Sequence, residues 1–249
     1  MLIDTHCHIH EDDFPLAVDE VLLRARNANV QQLICVGTSE QSSRDAIMFA
    51  ESHDVAWASI GVHPHDTKDG YGAIAKLAGT SDRIVAVGEI GLDYFYTHSS
   101  KETQLKALED QIQIALLHNL PIIFHVREAF DDFWPIFDKY PGIRGELHSF
   151  TDTKVNLDRA LSNGLYIGVN GISTFTKDTT QKEMFDSIPL DRLLFETDAP
   201  FLTPAPFRGK VNEPAFVRNI AVYHANQRGM SVDEIASATT ANAKRLFAI

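Results

Sequence analysis

The sequence predicts an α/β protein of the (β/α)8 TIM-barrel class. Eight short runs rich in Val, Ile and Leu recur along the chain, and neighbouring runs start roughly 20 to 40 residues apart, about one strand-plus-helix repeat. The runs lack polar alternation, which is typical of parallel strands buried on both faces. The segments between them carry apolar residues at helical spacing. Eight such repeats favour a barrel over an open doubly wound sheet.

Each element is predicted from its own pattern. Leu16–Ala28 and Lys101–His118 place apolar residues on one helical face, and Ser231 with Glu234 three residues later predicts a capping box that begins the last helix. The predicted strands are Leu2–His6, Gln32–Val36, Ala56–Ile60, Ile84–Val87, Pro121–His125, Gly145–His148, Leu165–Val169 and Leu193–Glu196.

Composition limits the domain count and the class of partner. The chain has 249 residues, 44% of them hydrophobic, which predicts one domain covering residues 1–249 with a sizeable core. Its formal charge is −12, so it has no whole-surface attraction for nucleic acid. Any phosphate must be bound locally, through cations or a few placed Arg and Lys side chains.

Cysteine usage and the terminal sequence predict the compartment. Cys7 and Cys35 both lie in apolar runs, which indicates buried thiols in a reducing environment. The N-terminus has no basic segment followed by an apolar one, and no apolar run has the length of a membrane span. We therefore expect a cytoplasmic protein without a membrane partner. The sequence leaves the oligomeric state open, and a monomer is compatible with it.

Histidines and carboxylates follow most of the predicted strands. In a barrel the carboxyl ends of all strands converge on one face, where active sites lie. The side chains at these ends are Asp4, His6 and His8; His63 and His65; Glu89 and Asp93; His125 and Arg127; His148; and Glu196 and Asp198. A single buried His is more often a hydrogen-bonded core residue than a ligand, but so many imidazoles and carboxylates directed at one place need a shared cation.

The donor set predicts two divalent ions. Four histidines (His6, His8, His125 and His148) with Glu89 and Asp198 are too many ligands for one tetrahedral ion with an open position. They suit two ions that share a carboxylate, and Glu89 is the expected bridge because its two oxygens can bind both. Such a pair clamps the attacking and leaving oxygens of a displacement and makes a water-derived nucleophile available at neutral pH.

The chain resembles the TatD-type metal-dependent deoxyribonucleases, within the larger set of amidohydrolase-like metal barrels. The segments that carry the resemblance are 4–8 (DTHCH), 61–65 (GVHPH), 88–93 (GEIGLD), 121–127 (PIIFHVR), 148–150 (HSF), 196–200 (ETDAP) and 208–214 (RGKVNEP), in the order of the family. Glu89 stands where related amidohydrolases often carry a carboxylated lysine, which favours the nuclease branch.

The resemblance implies a role for each matching residue. It implies one ion held by His6, His8, Glu89 and Asp198, and a second ion held by Glu89, His125 and His148. It places His63 near the scissile group and gives Asp198 the additional role of orienting or deprotonating the attacking water. It implies that the ions are magnesium, manganese or zinc. Imidazole-rich ligation favours zinc or manganese, which are softer than magnesium, and the sequence leaves the identity of the metal open.

Five further residues are candidate substrate contacts. Arg127, Arg208 and Lys210 suit phosphate oxygens, although salt bridges at the barrel rim are an equal alternative. Tyr94, with the two aromatic residues that follow it, could stack on unpaired bases or pack beneath its own loop. His65 could cap the loop after the third strand or reach the site.

Two enzymatic hypotheses follow. The first is a two-metal phosphodiesterase that acts on DNA or RNA, at single-stranded 3′ ends. The second keeps the metal chemistry but changes the substrate to an aminoacyl-tRNA ester, a small amide or a lactone, which the net charge of −12 makes a fair competitor. A non-enzymatic metal scaffold is disfavoured, because His63 and Asp198 supply more acid–base groups than coordination requires.

Overall fold

The structure, a computed structural model, describes residues 1–96 and 98–249 and contains one eight-stranded sheet. The strands are β1 (Leu2–Cys7), β2 (Val30–Val36), β3 (Ala56–Ile60), β4 (Ile84–Asp93), β5 (Ile122–Arg127), β6 (Gly145–Leu147), β7 (Tyr166–Val169) and β8 (Leu193–Phe195). They follow one another in sequence order, and β3–β4, β4–β5, β5–β6 and β7–β8 pair in parallel. Cys7 at the end of β1 forms a parallel bridge with Ala199, just after β8. This topology confirms the predicted (β/α)8 barrel class.

Helices follow every strand in turn. They are α1 (Val18–Asn27), α2 (Glu40–Ser52), α3 (Ile74–Leu77), α4 (Lys101–Leu117), α5 (Phe130–Phe137), α6 (Lys154–Ser162), α7 (Ile172–Phe175), α8 (Thr179–Ser187), α9 (Val217–Arg228) and α10 (Val232–Phe247). Short 3-10 helices lie at Thr67–Asp69, Leu190–Arg192 and Pro214–Phe216. The predicted capping box begins α10: Ser231 accepts the Glu234 N–H, and the Glu234 carboxylate accepts the Ser231 N–H. Both backbone donors would otherwise lack a partner.

Strand β4 is longer than the apolar pattern predicts. The prediction ended it at Val87, whereas the strand continues to Asp93 and all ten residues are buried. Its second half carries carboxylates and glycines, which give no apolar signal, but it pairs with β5 through Gly91 opposite His125. A Cβ at Gly91 would overlap the His125 carbonyl oxygen, so only glycine allows this approach.

The chain divides into two compact units. The first comprises residues 1–34 and 149–249 and contains β1, α1, β7, β8 and helices α6 to α10. A partly buried ion pair connects α1 to Glu213, which precedes the 3-10 helix at Pro214–Phe216. Arg24 Nε lies 2.9 and 2.8 Å from the two Glu213 oxygens, and Arg24 Nη2 lies 2.6 Å from Oε2. Bidentate pairing of this kind fixes orientation as well as distance.

The second unit comprises residues 35–148 and contains β3 to β6 with helices α2 to α5. Two glutamines on α4 hold the ends of neighbouring strands. Gln111 bonds the backbone N–H and C=O of Val62 at 2.8 and 3.2 Å, and Gln104 bonds those of Asp93 at 2.9 and 3.0 Å. Buried amides that satisfy both backbone groups fix where β3 and β4 end.

Two further features bear on the sequence predictions. Cys7 and Cys35 are buried and unbridged, as predicted. Across the described part of the chain, no helix combines the length and apolar character that a membrane crossing requires. The single-domain interpretation, the cytoplasmic location and the oligomeric state stay predictions.

Acid sensitivity is expected from His224, which is fully buried in α9. Its Nε2 lies 2.9 Å from Ser173 Oγ, and its ring stacks on Phe195 with centroids 5.5 Å apart. Burial, with a smaller contribution from the nearby Arg228 charge, lowers the pKa of His224 from 6.5 to about 3. Above pH 6.5 the ring is neutral in both states, so its full stability contribution is present. As pH falls toward 3, only the unfolded chain takes up the proton, and stability declines by about 1.4 kcal/mol per pH unit.

Urea unfolding of wild type and His224→Gln at pH 7.5, 5.5 and 4.5 measures this effect. The glutamine variant is expected to lose stability with falling pH less steeply, by about 1.4 kcal/mol per unit. The comparison uses slopes because the substitution also changes packing. Identical slopes in the two proteins would mean that His224 does not resist protonation.

Candidate functional site

Three side chains of the first unit converge to form the Asp198 cluster, defined as His6, His8 and Asp198. The Nε2 atoms of His6 and His8 lie 3.1 Å apart, and Asp198 Oδ1 is 3.6 Å from the first and 3.3 Å from the second. Their ligand atoms all lie within 4.8 Å of one another. Both histidines are buried. Two imidazole nitrogens and a carboxylate oxygen directed at one point are a donor set for a divalent ion.

The backbone near Asp198 is held from several directions. Asp198 adopts a left-handed conformation with φ 58°, and its N–H donates to the His6 carbonyl at 2.8 Å. Asn212, fully buried, donates from its side-chain amide to the carbonyls of Thr197 (2.8 Å) and Phe201 (2.5 Å), on either side of Asp198. These contacts offset the strain of a non-glycine residue at positive φ.

Asp4 connects the strand that carries His6 to the residue before Asp198. Its carboxylate accepts the N–H and hydroxyl of Thr197 at 2.8 and 2.6 Å, with a longer contact to the His6 N–H. Complete burial raises the pKa of Asp4 to about 8 despite these hydrogen bonds.

In the second unit, Glu89 is the centre of the Glu89 cluster, defined as His63, Glu89, His125 and His148. Glu89 Oε1 lies 2.7 Å from His125 Nδ1, 3.6 Å from His63 Nε2 and 3.7 Å from His148 Nε2. Glu89 and His148 are buried, and the other two rings are slightly exposed. One carboxylate oxygen thus faces three imidazoles.

Asp93 contacts this cluster; the sequence predicts it as a strand-end acid with no ligand or catalytic role. Its Oδ2 lies 3.0 Å from both His125 Nε2 and His65 Nε2. Burial opposes its charge, but these partners and the loop N–H groups outweigh burial and lower the pKa of Asp93. The sequence signal that could have identified Asp93 is its spacing: Glu89, Gly91 and Asp93 are every second residue of β4 and therefore share one face.

His125 has a carboxylate at each ring nitrogen, Glu89 at Nδ1 and Asp93 at Nε2, and both favour positive charge on the ring. Burial disfavours the imidazolium, but hydrogen bonds with Asp93 and Glu89 outweigh burial and raise the pKa of His125. A carboxylate that holds one ring nitrogen while the other faces a ligand site is the usual support of a metal-binding histidine. With Asp93 at Nε2, the nitrogen of His125 that could bind an ion is Nδ1, on the Glu89 side.

One backbone hydrogen bond determines the tautomer of His63. The backbone N–H of His65 donates to His63 Nδ1 at 3.1 Å, so Nδ1 is the acceptor and the proton of the neutral ring is on Nε2. Burial and the neighbouring His125 lower the pKa of His63 well below its usual value. Its distances to Glu89 and His125 would allow a ligand role, but a protonated Nε2 is a hydrogen-bond donor.

Both clusters fit divalent metal ions in donor chemistry. The Asp198 cluster offers two imidazole nitrogens and a carboxylate, and the Glu89 cluster offers a carboxylate with the nitrogens of His125 and His148. Nitrogen-rich sites with one or two carboxylates suit zinc or manganese. Each unit thus assembles histidines and an acid from residues far apart in sequence.

Among the predicted substrate contacts, those in the second unit adjoin the Glu89 cluster. His65 is half-buried against Asp93. Arg127 is exposed, and its guanidinium lies 3.8 Å from the centre of the Phe95 ring. The Tyr94 hydroxyl donates to Asp132 at 2.9 Å, which commits its polar end to a structural contact.

The predicted contacts in the first unit lie on the segment after β8. Arg208 stacks 3.8 Å from the centre of the Phe175 ring and donates to the Thr203 carbonyl at 2.8 Å, while the Lys210 ammonium lies 5.5 Å from the centre of the Phe207 ring. Both side chains are exposed. Neither takes part in a rim salt bridge among residues 1–96 and 98–249.

Comparison with known proteins assigns the family. A model of the TatD-related DNase family matches residues 3–248. The chain belongs to this family. A Bacillus subtilis protein described as the uncharacterized metal-dependent hydrolase YabD is 38% identical over the full length of both chains. The 3′-5′ ssDNA/RNA exonuclease TatD of Erwinia tasmaniensis is 35% identical over 99% of both chains.

A solved structure gives the same family assignment. The TatD homologue YjjV of Escherichia coli superimposes with a TM-score of 0.91 at 30% identity, covering 100% of this chain and 98% of the other. As a TatD-family protein with metal-competent clusters, the chain is a metal-dependent hydrolase. This confirms the family and the enzyme class predicted from the strand-end motifs.

Proposed function

We propose that this TatD-family hydrolase removes nucleotides from the 3′ ends of single-stranded DNA or RNA, using two divalent ions. The observation that carries the proposal is the pair of clusters. In the first, His6, His8 and Asp198 offer ligand atoms within 4.8 Å of one another. In the second, His63, Glu89 and His125 do the same, and His148 Nε2 lies 3.7 Å from Glu89 Oε1. Relatives named 3′-5′ ssDNA/RNA exonucleases, similar along the whole chain, support the choice of substrate.

In this proposal each cluster holds one ion. His6, His8 and Asp198 would hold the first, and Glu89, His125 and His148 would hold the second. Bound divalent ions would activate water and neutralise charge on the phosphate. Zinc or manganese suits the nitrogen-rich donors, and magnesium is the alternative from the family resemblance.

The protein's own groups then perform the proton and positioning steps. The Asp198 carboxylate orients the attacking water and accepts its proton. His63, neutral and protonated at Nε2, donates a hydrogen bond to a phosphoryl oxygen. Asp93 keeps the second nitrogen of His125 occupied, so that His125 presents a single nitrogen to the ion.

Charge on the exposed surface favours a phosphate-bearing substrate. The chain has a net charge of −12, yet the guanidinium groups of Arg127 and Arg208 each lie over an aromatic ring and form no ion pair with a carboxylate of residues 1–96 and 98–249. A guanidinium stacked on a ring can still donate N–H groups to an anion such as phosphate, and Arg208 has donors left beyond the one it gives to Thr203. An uncharged ester, amide or lactone would not need these groups.

A metal-replacement assay tests the proposed function. Protein treated with chelator and then given Mg²⁺, Mn²⁺ or Zn²⁺ is incubated with a 5′-labelled single-stranded 20-mer. We expect stepwise shortening from the 3′ end only with metal, and no shortening of a matched 20-mer with phosphorothioate linkages at its 3′ end. The rate should fall as salt is raised, since a polyanion releases counterions on binding.

The same assay can contradict the proposal. Metal-loaded protein that leaves every oligonucleotide intact is not the proposed exonuclease. If such protein hydrolyses an aminoacyl ester or lactone at a rate insensitive to salt, the second hypothesis replaces the first.

A further inference from the structure

We infer that Phe95, Tyr96 and Arg127 form a stacking platform for one unpaired base of a single-stranded nucleic acid. The inference rests on the proposed function and adds a binding subsite for the nucleotides near the cleaved bond. These three residues, all in the second unit, are called the platform below.

Exposed aromatic surface is the first observation. Phe95 and Tyr96 are 48% and 43% exposed, and their ring centroids lie 4.6 Å apart. The Arg127 guanidinium lies 3.8 Å from the Phe95 centroid and 5.3 Å from that of Tyr96. The two rings meet edge to face at 84°, and each keeps exposed surface that a base could contact. Nucleobases stack on aromatic rings and on guanidinium planes, which is the surface present here.

The platform is connected to the Glu89 cluster by a series of rings. The His65 ring lies 5.3 Å from Tyr96 and 4.3 Å from His63, whose own ring lies 4.4 Å from His125. A strand whose scissile phosphate lies at the Glu89 cluster would therefore bring a neighbouring base over the platform.

Asp93 fixes the position of the platform relative to the Glu89 cluster. Its Oδ1 accepts the backbone N–H of Phe95 at 2.9 Å and of Tyr96 at 3.1 Å, while its Oδ2 faces His125 and His65. One buried carboxylate thus fixes both the loop that carries the rings and the histidines of the cluster. Pre-organised stacking surfaces lose little entropy on binding.

Charge distinguishes a nucleic acid from an apolar partner. No carboxylate of residues 1–96 and 98–249 lies within 4.0 Å of the Arg127 guanidinium nitrogens. The exposed guanidinium can therefore stack on a base and bind the adjoining phosphate. A base inside a duplex already stacks on its neighbours, so the platform fits single strands.

An abasic-site series tests the platform. Binding of fluorescent single-stranded dT10 is measured by anisotropy in chelator, which prevents turnover, for the intact strand and for strands with one abasic residue at each of the last three 3′ positions. For wild type, removing the base at one position should weaken binding about 5- to 150-fold. Phe95→Ala should weaken binding of intact dT10 by a similar factor and show no further loss at that position.

A second test variant and one control complete the series. Arg127→Lys keeps the charge but loses the planar face, so it should behave like Phe95→Ala. Leu117→Ala removes another exposed side chain of the second unit, 82% exposed, and should bind like wild type. Weakening of intact and abasic strands by equal factors in Phe95→Ala would overturn the platform, as would the absence of any base dependence or of any binding in wild type.

The kinetic arm separates the platform from the proposed function. With metal, wild type should show the same positional loss in kcat/KM. Base-dependent binding without hydrolysis would leave the platform standing and contradict the exonuclease proposal. Hydrolysis with no base dependence would support the exonuclease proposal and overturn the platform.

Discussion

Glu89→Gln is expected to lower hydrolysis more than about 100-fold, the upper end of the loss seen when a group that merely supports a metal ligand is removed. One oxygen of Glu89 lies within 3.7 Å of nitrogens from three histidines, so it is the centre of its cluster. Glutamine keeps the shape but replaces a charged donor with a neutral one. The cluster then loses the only carboxylate among the second ion's three proposed ligands.

Two measurements check the Glu89 prediction independently of rate. Elemental analysis should find less bound metal in the variant than in wild type. Thermal unfolding in excess Mn²⁺ should raise the wild-type Tm, because an ion that binds only the folded state stabilises it by about 2.7 kcal/mol at a hundredfold excess over Kd. The variant should show a smaller rise. Glu51→Gln, the same chemical change at an exposed position of α2, is the matched control.

A variant with full activity and unchanged metal content would remove Glu89 from the site. A variant that fails to fold without metal would instead assign Glu89 a structural role. Far-UV circular dichroism of the metal-free variant distinguishes these outcomes.

Asp198→Asn is the second substitution with a large expected effect, again more than about 100-fold on hydrolysis. Asp198 supplies the carboxylate of its cluster, 3.3 Å from His8 Nε2 and 3.6 Å from His6 Nε2. In the proposed reaction it also accepts a proton from water, a function that an amide cannot perform. Asparagine tolerates positive φ, so the strained backbone at this position is preserved.

The measurement for Asp198 compares metal affinity with turnover. If Asp198 acts as ligand and proton acceptor, raising Mn²⁺ to saturation should restore metal content without restoring the rate. Asp13→Asn, at an exposed position of the same unit, should match wild type. Recovery of the full rate at saturating Mn²⁺ would limit Asp198 to a ligand role.

Much of the site was accessible from local pattern. His6 and His8 alternate along β1 and its extension, and strand alternation alone places them on one side. The strand ends also named Glu89, His125, His148 and Asp198, because in a parallel barrel the carboxyl ends meet. The structure brings His6 and His8 to Asp198 in one unit, and His125 and His148 to Glu89 in the other.

Other features depended on contacts between distant segments. Asp93 looked like a strand-end acid, and only its two 3.0 Å contacts identify it as the group that orients His125 and His65. The His63 tautomer follows from one backbone N–H donated by His65. Asn212, distant in sequence from Asp198, holds the carbonyls on either side of it.

The sequence by itself determined the barrel class, the family and the types of ligand, because apolar periodicity and strand-end motifs are properties of short segments. Only the tertiary structure decided which nitrogens of His63, His65 and His125 face a carboxylate, that Asp93 contacts two of these rings, and which aromatic rings stay exposed. Those properties depend on distances of a few ångströms between segments far apart in the chain, and short-range pattern carries no information about such distances.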